Sequence, residues 1–218
     1  MTVCKVDTKY GVMLIPDTDT AQYHWLHGTG RSAEDQFIVV ICDMLKERER
    51  GIALDVGANF GTWTLPLSMC CAHVIAFEPQ FKIARLLSDT ITENKILNVM
   101  VYPWACGSLQ GISTVADVNL DVENNFGGVS LGRGYERVRI ETIDSVIDFG
   151  NVSFIKIDVE GDEISVLKGA LRTIRRCKPI LFVEALHPRT DTEALRDLIV
   201  SEGYGIETAG PNYMCLPI

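Results

Sequence analysis

Over most of the sequence, short apolar stretches alternate with segments whose apolar residues recur at the period of a helix. Five such stretches are Ile52–Val56, His73–Phe77, residues 99–105, Val152–Ile157 and residues 180–185. They are rich in Val, Ile and Phe, which is typical of strands buried on both faces. Strands and helices in alternation predict an α/β fold in which a mostly parallel sheet carries helices on both faces.

The last third of the chain continues this pattern. Residues 163–176 and 192–202 have apolar side chains on one helical face, and we predict a helix for each. Residues 204–208 and 213–216 are separated by A-G-P-N, a sequence that favours a turn. We therefore predict a terminal antiparallel hairpin that closes one edge of the sheet.

Two segments fall outside the alternation. An N-terminal extension, residues 1–45, predicts strands around residues 3–6 and 12–15 and a helix from about Ser32. An insertion, residues 107–140, follows the third predicted strand, at the edge where α/β sheets build substrate pockets. The 218 residues are 47 % hydrophobic and contain no linker-like stretch, so we expect one domain.

A glycine-rich turn follows the first predicted strand of the sheet. Residues 55–61 read D-V-G-A-N-F-G, in which Gly57 and Gly61 allow a tight turn and a close approach of backbone to a ligand. The helix that follows presents free N–H groups to polar ligand atoms. Glu78 ends the next strand, where a carboxylate can accept hydrogen bonds from both ribose hydroxyls of an adenosine.

Two adenosine cofactors use such an acid, NAD and S-adenosylmethionine (SAM). The dinucleotide fingerprint is G-x-G-x-x-G, and this turn has one residue fewer than that fingerprint. Asp55 would repel a pyrophosphate, whereas its carboxylate suits the ammonium group of a methionine moiety. The turn therefore favours SAM over an NAD-dependent oxidoreductase, with a glycine turn that binds no ligand as the third alternative.

A resemblance to the FkbM-type family of SAM-dependent methyltransferases rests on these motifs together with K-I-D-V-E-G-D-E at residues 156–163 and V-L-K-G-A at residues 166–170. The similarity runs from about residue 34 to residue 186. It implies a Rossmann-like class I methyltransferase fold with a seven-stranded sheet, SAM as the methyl donor, and O-methylation of sugars or polyketide-type metabolites.

The resemblance also assigns cofactor residues by position. The assigned residues are Asp55, Gly57, Ala58, Asn59 and Gly61 on the methionine side, Glu78 at the ribose, and Ala105 or Cys106 near the adenine.

Transfer to a hydroxyl group requires a group that removes the proton or a metal that polarises the oxygen. Asp158 ends the fourth predicted strand, Glu184 lies at the end of the fifth, and His187 follows. These three side chains are the candidate catalytic residues. Either they form a base without a metal, or Asp158 and Glu184 hold Mg²⁺ or Mn²⁺, which favour carboxylate ligands.

The insertion contains candidate residues for binding the acceptor. Asn124, Asn125 and the ring of Phe126 suit the hydroxyls and ring faces of a sugar, and Arg133 follows. The alternative is a hairpin whose turn contains residues 127–128. We expect a hydroxylated acceptor, a sugar such as the deoxyhexose rhamnose or a small metabolite.

Charge and hydropathy limit the remaining classes of function. The net charge of −9 disfavours a nucleic-acid partner, although RNA or protein methylation and a non-catalytic SAM-binding module stay as alternatives. The sequence contains no apolar run of 18 residues and no signal-peptide pattern. We therefore expect a cytoplasmic protein without a membrane partner, whose oligomeric state the sequence does not indicate.

Overall fold

The computed structural model describes residues 2–148 and 150–218. Its elements in chain order are β1 (Val3–Thr8), β2 (Gly11–Pro16), α1 (Gln22–Thr29), α2 (Asp35–Lys46), β3 (Ile52–Val56), α3 (Thr64–Cys70), β4 (His73–Phe77), α4 (Phe81–Glu93), β5 (Val99–Tyr102), β6 (Trp104–Cys106), β7 (Gly111–Val115), β8 (Glu136–Glu141), α5 (Ile143–Val146), β9 (Val152–Ile157), α6 (Glu163–Lys168), α7 (Leu171–Cys177), β10 (Ile180–Glu184), α8 (Thr192–Ser201), β11 (Tyr204–Ala209) and β12 (Asn212–Pro217).

A seven-stranded sheet organises the molecule, with the strand order β11-β12-β10-β9-β3-β4-β5. The five strands from β10 to β5 in this order run parallel to one another. β12 pairs antiparallel with both β10 and β11, so the two terminal strands form a hairpin at the sheet edge. The predicted α/β fold and its terminal hairpin are confirmed.

Both faces of the sheet are covered, and this explains why its strands read as continuous apolar runs. Leu54 and Ile155 pack into a core that includes residues of α5, α6, α7 and α8. The adjacent residues Ala53 and Phe154 point the other way and pack with α2 and α3. Successive side chains of a strand alternate between faces, so a strand with helices on both sides needs apolar residues at every position.

The predicted third strand, residues 99–105, is two strands in the structure. β5 ends at Tyr102, and β6 begins at Trp104 in a separate three-stranded sheet of order β6-β8-β7. Pro103 lies between them, and proline has no N–H group to donate to a ladder. Ala105 and Cys106 therefore belong to the small sheet and not to the main one.

The predicted helix over residues 163–176 is also interrupted. α6 ends at Lys168 and α7 begins at Leu171, and between them the backbone at Gly169 lies against Gly107. A Cβ atom at Gly169 would stand 2.0 Å from the Gly107 carbonyl oxygen, so only glycine fits there.

The two strands predicted in the N-terminal extension are present and pair as a β1–β2 hairpin, which two helices follow. The hairpin is attached to α4, since the Leu14 N–H donates to Thr90 Oγ1 at 3.0 Å and the Val12 N–H to Asn94 Oδ1 at 2.9 Å. The helix expected from about Ser32 begins at residue 35, and α1 has no counterpart among the predicted elements. None of the helices in the described part of the chain is long and apolar enough to cross a membrane.

Candidate functional site

A cavity of about 190 Å³ opens at the carboxyl ends of β3, β4 and β9. Residues that follow these strands form one side of it, among them Gly57, Glu78 and Asp158. The opposite side comes from two segments that we call the roof, residues 17–29 and 116–135. The roof contributes Ala21, Gln22, Asn125, Gly127, Val129 and Leu131 to the cavity wall.

One buried carboxylate joins the two segments of the roof. Asp19 is fully buried, and its Oδ1 accepts hydrogen bonds from the N–H groups of Ala21 at 3.1 Å and Tyr23 at 3.0 Å. Its Oδ2 accepts from the Phe126 N–H at 3.3 Å. The Thr20 N–H also donates to the Asn124 carbonyl at 3.0 Å. The N-terminal extension and the insertion thus form one continuous wall of the cavity.

The glycine turn brings the ends of β3 and β9 into contact. Gly57 has φ +78°, and a Cβ atom there would stand 1.8 Å from the Asp158 carbonyl oxygen. Gly61 allows a different contact, since a Cβ atom there would lie 2.5 Å from Leu87 Cδ1. Gly57 and Asn59 line the cavity, whereas Ala58 and Gly61 do not. The cofactor assignments of Ala58 and Gly61 therefore stay predictions.

Glu78 lies on the wall of the cavity and is only 3 % exposed. Its Oε2 accepts from the Asn59 N–H at 2.9 Å and its Oε1 from the Gln80 N–H at 2.9 Å. Burial raises the pKa of Glu78 to about 7. Additional donors, such as the two hydroxyls of a ribose, would stabilise its ionised form.

Two further side chains on this wall carry buried acceptors that lack donors. Among the described residues, Asn59 Oδ1 and Gln80 Oε1 have no hydrogen-bond partner. Gln80 is only 3 % exposed, and its amide Nε2 donates to the Phe126 carbonyl at 2.7 Å. Unpaired buried acceptors are costly, so a ligand with hydroxyl or N–H groups would be stabilised here. The polar groups of SAM fit this requirement.

An aromatic stack closes one end of the cavity. Trp104, which lines the cavity, stacks on Tyr102 with ring centroids 4.4 Å apart, and the Arg139 guanidinium lies 4.5 Å from the Trp104 ring. Ala105 and Cys106 lie beside it on the wall. Flat, apolar surfaces of this kind are suited to an adenine ring, which the family resemblance assigned to Ala105 or Cys106.

Asp55 does not reach the cavity. Its side chain is fully buried; Oδ2 accepts from Thr64 Oγ1 at 2.5 Å and Oδ1 lies 3.5 Å from Lys156 Nζ. The sequence predicted a direct contact between Asp55 and the ammonium group of a methionine moiety. The structure corrects this, because the lysine is the cation that the Asp55 carboxylate meets.

Lys156 lies at the centre of the charged groups beneath the cavity. Its Nζ donates to the Gly57 carbonyl at 2.6 Å and lies 3.4 Å from Asp158 Oδ2. Burial disfavours the charged amine, but the carboxylates of Asp158 and Asp55 outweigh burial and raise its pKa. Lys156 therefore stays protonated and neutralises carboxylates on two neighbouring strands.

Only one of the three candidate catalytic residues lines the cavity. Asp158 lines the cavity, as does Glu160, whereas Glu184 and His187 do not. His187 Nε2 lies 3.2 Å from Glu160 Oε2, so its carboxylate partner is Glu160. Burial, with the charges of Asp158 and Glu160, raises the pKa of Glu184 to about 8. Glu184 is thus largely protonated at neutral pH.

The structure gives no support to a metal at Asp158 and Glu184. Over residues 2–148 and 150–218, no group of three or more His, Cys, Asp or Glu side chains is placed to hold a metal ion. The positive charge beside Asp158 is the ammonium group of Lys156.

The residues expected to bind the acceptor are separated by the fold. Asn125 lines the cavity, whereas Asn124 joins the two roof segments through its backbone and Arg133 is exposed away from the cavity wall. Phe126 is only 1 % exposed within an apolar core, so it has no free ring face for a sugar, which corrects that expectation. β7 and β8 do pair as a hairpin, but Gly127 and Gly128 lie inside the long irregular segment between them.

Four residues of the site were not among the candidates. Lys156 had a visible signal, since it is the one charged residue in the buried strand β9. Glu160 belongs to the K-I-D-V-E-G-D-E motif at residues 156–163, to which the sequence assigned no role beyond Asp158. Gln22 and Gln80 carry no local signal, because only the fold brings them to the cavity.

Comparisons with known proteins agree with this arrangement. The methyltransferase FkbM domain family matches residues 55–206. A solved structure of methyltransferase FkbM from Methylobacillus flagellatus KT is 25 % identical, with a TM-score of 0.57 over 77 % of this chain and 43 % of that chain. The chain thus spans less than half the length of that protein. None of the curated proteins matches the chain.

More distant structures share the fold. A precorrin-6y C5,15-methyltransferase from Geobacter metallireducens GS-15 is 12 % identical, with a TM-score of 0.52 over 84 % of this chain and 88 % of that one. Magnesium protoporphyrin IX methyltransferase from Synechocystis PCC 6803, solved with bound SAM, is 10 % identical, with a TM-score of 0.51 over 84 % and 79 %.

Proposed function

The chain belongs to the FkbM methyltransferase family, and from that premise we propose that it transfers a methyl group from SAM to a hydroxyl group. The acceptor that we propose is a sugar or glycan, for example a deoxyhexose such as rhamnose, with a small hydroxylated metabolite as the alternative. The observation that carries the proposal is the cavity itself, in which Glu78 and two unpaired amide acceptors face the same space as Asp158 and Glu160.

The residues present fit SAM. Glu78 would hold the ribose hydroxyls, Asn59 and Gln80 would accept from further donors, and Ala105 and Cys106 would border the adenine. Bound SAM would supply a methyl group on a sulfonium, which is strongly electrophilic. The protein's part is then to align an acceptor with that methyl group and to remove the acceptor's proton.

The roof supports a hydroxylated acceptor. Gln22 and Asn125 place amide groups on the roof side of the cavity, and amides both donate to and accept from hydroxyls. Carboxylates of Asp158 and Glu160 line the same cavity, so a proton acceptor is within the chamber. A hydroxyl needs both kinds of group, which is why we favour O-methylation.

The proposal is tested by incubating purified protein with methyl-labelled SAM and a panel of methyl glycosides that includes 6-deoxyhexosides. We expect label to appear in at least one glycoside. SAM binding without transfer to any acceptor would favour a non-catalytic SAM-binding module. Failure to bind SAM at all would reject the proposal.

Replacing Glu78 by alanine should weaken SAM binding at least tenfold. The carboxylate would lose charge-assisted hydrogen bonds to the ribose, which contribute about 1.5–3 kcal/mol. Because the ionised form of Glu78 accepts these hydrogen bonds, the affinity of the wild-type protein for SAM should also rise as the pH increases through about 7, the pKa of Glu78. In Glu78→Gln this pH dependence should disappear.

Calorimetric titration with SAM measures both effects. The matched control is Glu207→Ala, which removes an exposed carboxylate from the edge strand β11 and should leave SAM affinity unchanged. Equal affinity in Glu78→Ala and Glu207→Ala would contradict the assignment of Glu78.

A further inference from the structure

Glu160 has a backbone conformation that residues other than glycine rarely adopt. Its φ is +58°, and Gly161 follows at φ +106°. Ser130 Oγ of the roof donates to the Glu160 carbonyl at 3.1 Å, which fastens this turn to the opposite side of the cavity. A left-handed non-glycine residue persists only where its surroundings impose it, and such residues concentrate at functional sites.

His187 is fixed against this turn on two sides. Its Nδ1 accepts from the Arg189 N–H at 3.2 Å, and its Nε2 lies 3.2 Å from Glu160 Oε2. A Cβ atom at Gly161 would stand 2.8 Å from His187 Nδ1, so the imidazole packs directly on that glycine. Because Nδ1 accepts a hydrogen bond, the hydrogen of the neutral ring is on Nε2 and points at Glu160. Both ring nitrogens of His187 therefore have partners, Nδ1 the Arg189 N–H and Nε2 the Glu160 carboxylate.

Asp158 and Glu160, the two cavity carboxylates that follow β9, differ in their surroundings. Asp158 has the Lys156 ammonium 3.4 Å from its Oδ2, so one of its oxygens is already paired with a cation. Glu160 lies farther from the lysine and close to Asp158 and Glu163. Burial and the Asp158 charge raise the pKa of Glu160, while His187 and Lys156 act in the opposite direction. Glu160 is therefore the better proton acceptor of the two.

A second observation points to a ligand in the cavity that Glu160 lines. Gln80 Oε1 is buried without a donor on the wall of the same cavity that Glu160 lines. A bound molecule with hydroxyl or N–H groups would satisfy it, so the acidic turn faces a binding site and not bulk solvent.

We propose that Glu160 is the catalytic base for the acceptor hydroxyl and that His187 is a positioning residue that holds the Glu160 carboxylate toward the cavity. This inference rests on the proposed function. The acceptor's O–H bond breaks and its proton goes to Glu160. The oxygen's electron pair forms the bond to the methyl carbon, and the electrons of the former carbon–sulfur bond stay on sulfur. The proton on Glu160 then leaves to solvent, which completes the balance.

The pairing is tested first without any turnover. Long-range ¹H–¹⁵N spectra of ¹⁵N-labelled protein report which imidazole nitrogen carries the hydrogen, and His187→Gln assigns the signal among the four histidines. We expect His187 in the Nε2–H form in the wild type, with a shifted Nε2–H signal in Glu160→Gln. A dominant Nδ1–H form, or signals that do not respond to Glu160→Gln, would overturn the pairing.

Kinetic measurements test the role of Glu160. The acceptor is the glycoside of the panel to which the wild-type protein transfers a methyl group. Glu160→Gln should lower kcat about 10²–10⁴-fold, with SAM affinity and thermal midpoint near those of the wild type. Glu160→Asp, which keeps a carboxylate, should lose less. His187→Gln should lower kcat by a smaller factor and alter its pH profile, which a purely structural role would not do.

The matched control is Asp162→Asn, a carboxylate of the same turn that does not line the cavity. We expect its kcat and SAM affinity to stay close to the wild type. Near-normal turnover in Glu160→Gln would reject the assignment and return the role to Asp158. If the proposed function itself were wrong, the result would be different, because the wild-type protein would then methylate no acceptor of the panel.

Discussion

Replacing Lys156 by methionine is expected to lower the free energy of unfolding by about 3–5 kcal/mol. The ammonium group is the cation beside Asp55, which is fully buried, and it also donates to the Gly57 carbonyl. Methionine fills a similar volume but leaves the Asp55 carboxylate in the interior without a countercharge. Chemical denaturation measured by circular dichroism gives the change directly.

A double variant separates loss of charge from loss of packing. Asp55→Asn combined with Lys156→Met removes both buried charges and should recover a large part of the lost stability. Lys46→Met is the control, since it breaks an exposed ion pair with Asp43 and should change stability by no more than about 1 kcal/mol. A double variant no more stable than Lys156→Met alone would show that the ion pair is not the cause.

Gly57→Ala is expected to abolish measurable SAM binding and to destabilise the fold. The left-handed conformation at residue 57 alone costs an alanine about 1–3 kcal/mol. The new methyl group would also stand 1.8 Å from the Asp158 carbonyl oxygen, so the ends of β3 and β9 must move apart. We expect that movement to break the hydrogen bond from Lys156 to the Gly57 carbonyl and to widen the cavity where β3 and β9 end. Calorimetry with SAM and thermal unfolding measure the two effects.

Gly28→Ala is the matched substitution for this experiment. Gly28 lies within α1, and a Cβ atom there would meet nothing within 4 Å. Alanine is the better helix former, so stability should stay the same or rise by roughly 0.5–1 kcal/mol. If Gly57→Ala bound SAM as tightly as Gly28→Ala, the close approach at residue 57 would have no role in the site.

The regular elements could be predicted because their signals are local. The apolar composition of each strand of the sheet indicates that the strand is buried. The four consecutive residues A-G-P-N indicate the turn of the terminal hairpin. The need for glycine at residue 169 was not predictable in this way, because it comes from the Gly107 carbonyl in a distant part of the chain. Pro103, in contrast, is a local signal against one continuous strand over residues 99–105, and that prediction overlooked it.

The sequence predicted where the site lies, but it did not predict which charged side chains pair with one another there. The ends of parallel strands meet at one edge, so the sequence could bring Asp158, Glu78 and the glycine turn together. It could not show that Lys156, 99 residues from Gly57, occupies the space beside Asp55. Phe126 was misread for a similar reason, because its burial follows from the bond between its N–H and Asp19, 107 residues away.

The bond from Gln80 to Phe126 links the two sides of the cavity energetically. Gln80 Nε2 donates to the Phe126 carbonyl in the roof and lies 3.3 Å from Glu78 Oε1 on the opposite side. Coupling of this kind is reciprocal, since a molecule that binds one arrangement of the roof more tightly favours that arrangement by the same free energy. A molecule held by Glu78 would therefore change how Gln22 and Asn125 meet a second one. We accordingly expect each substrate to change the affinity for the other, by the same factor whichever binds first.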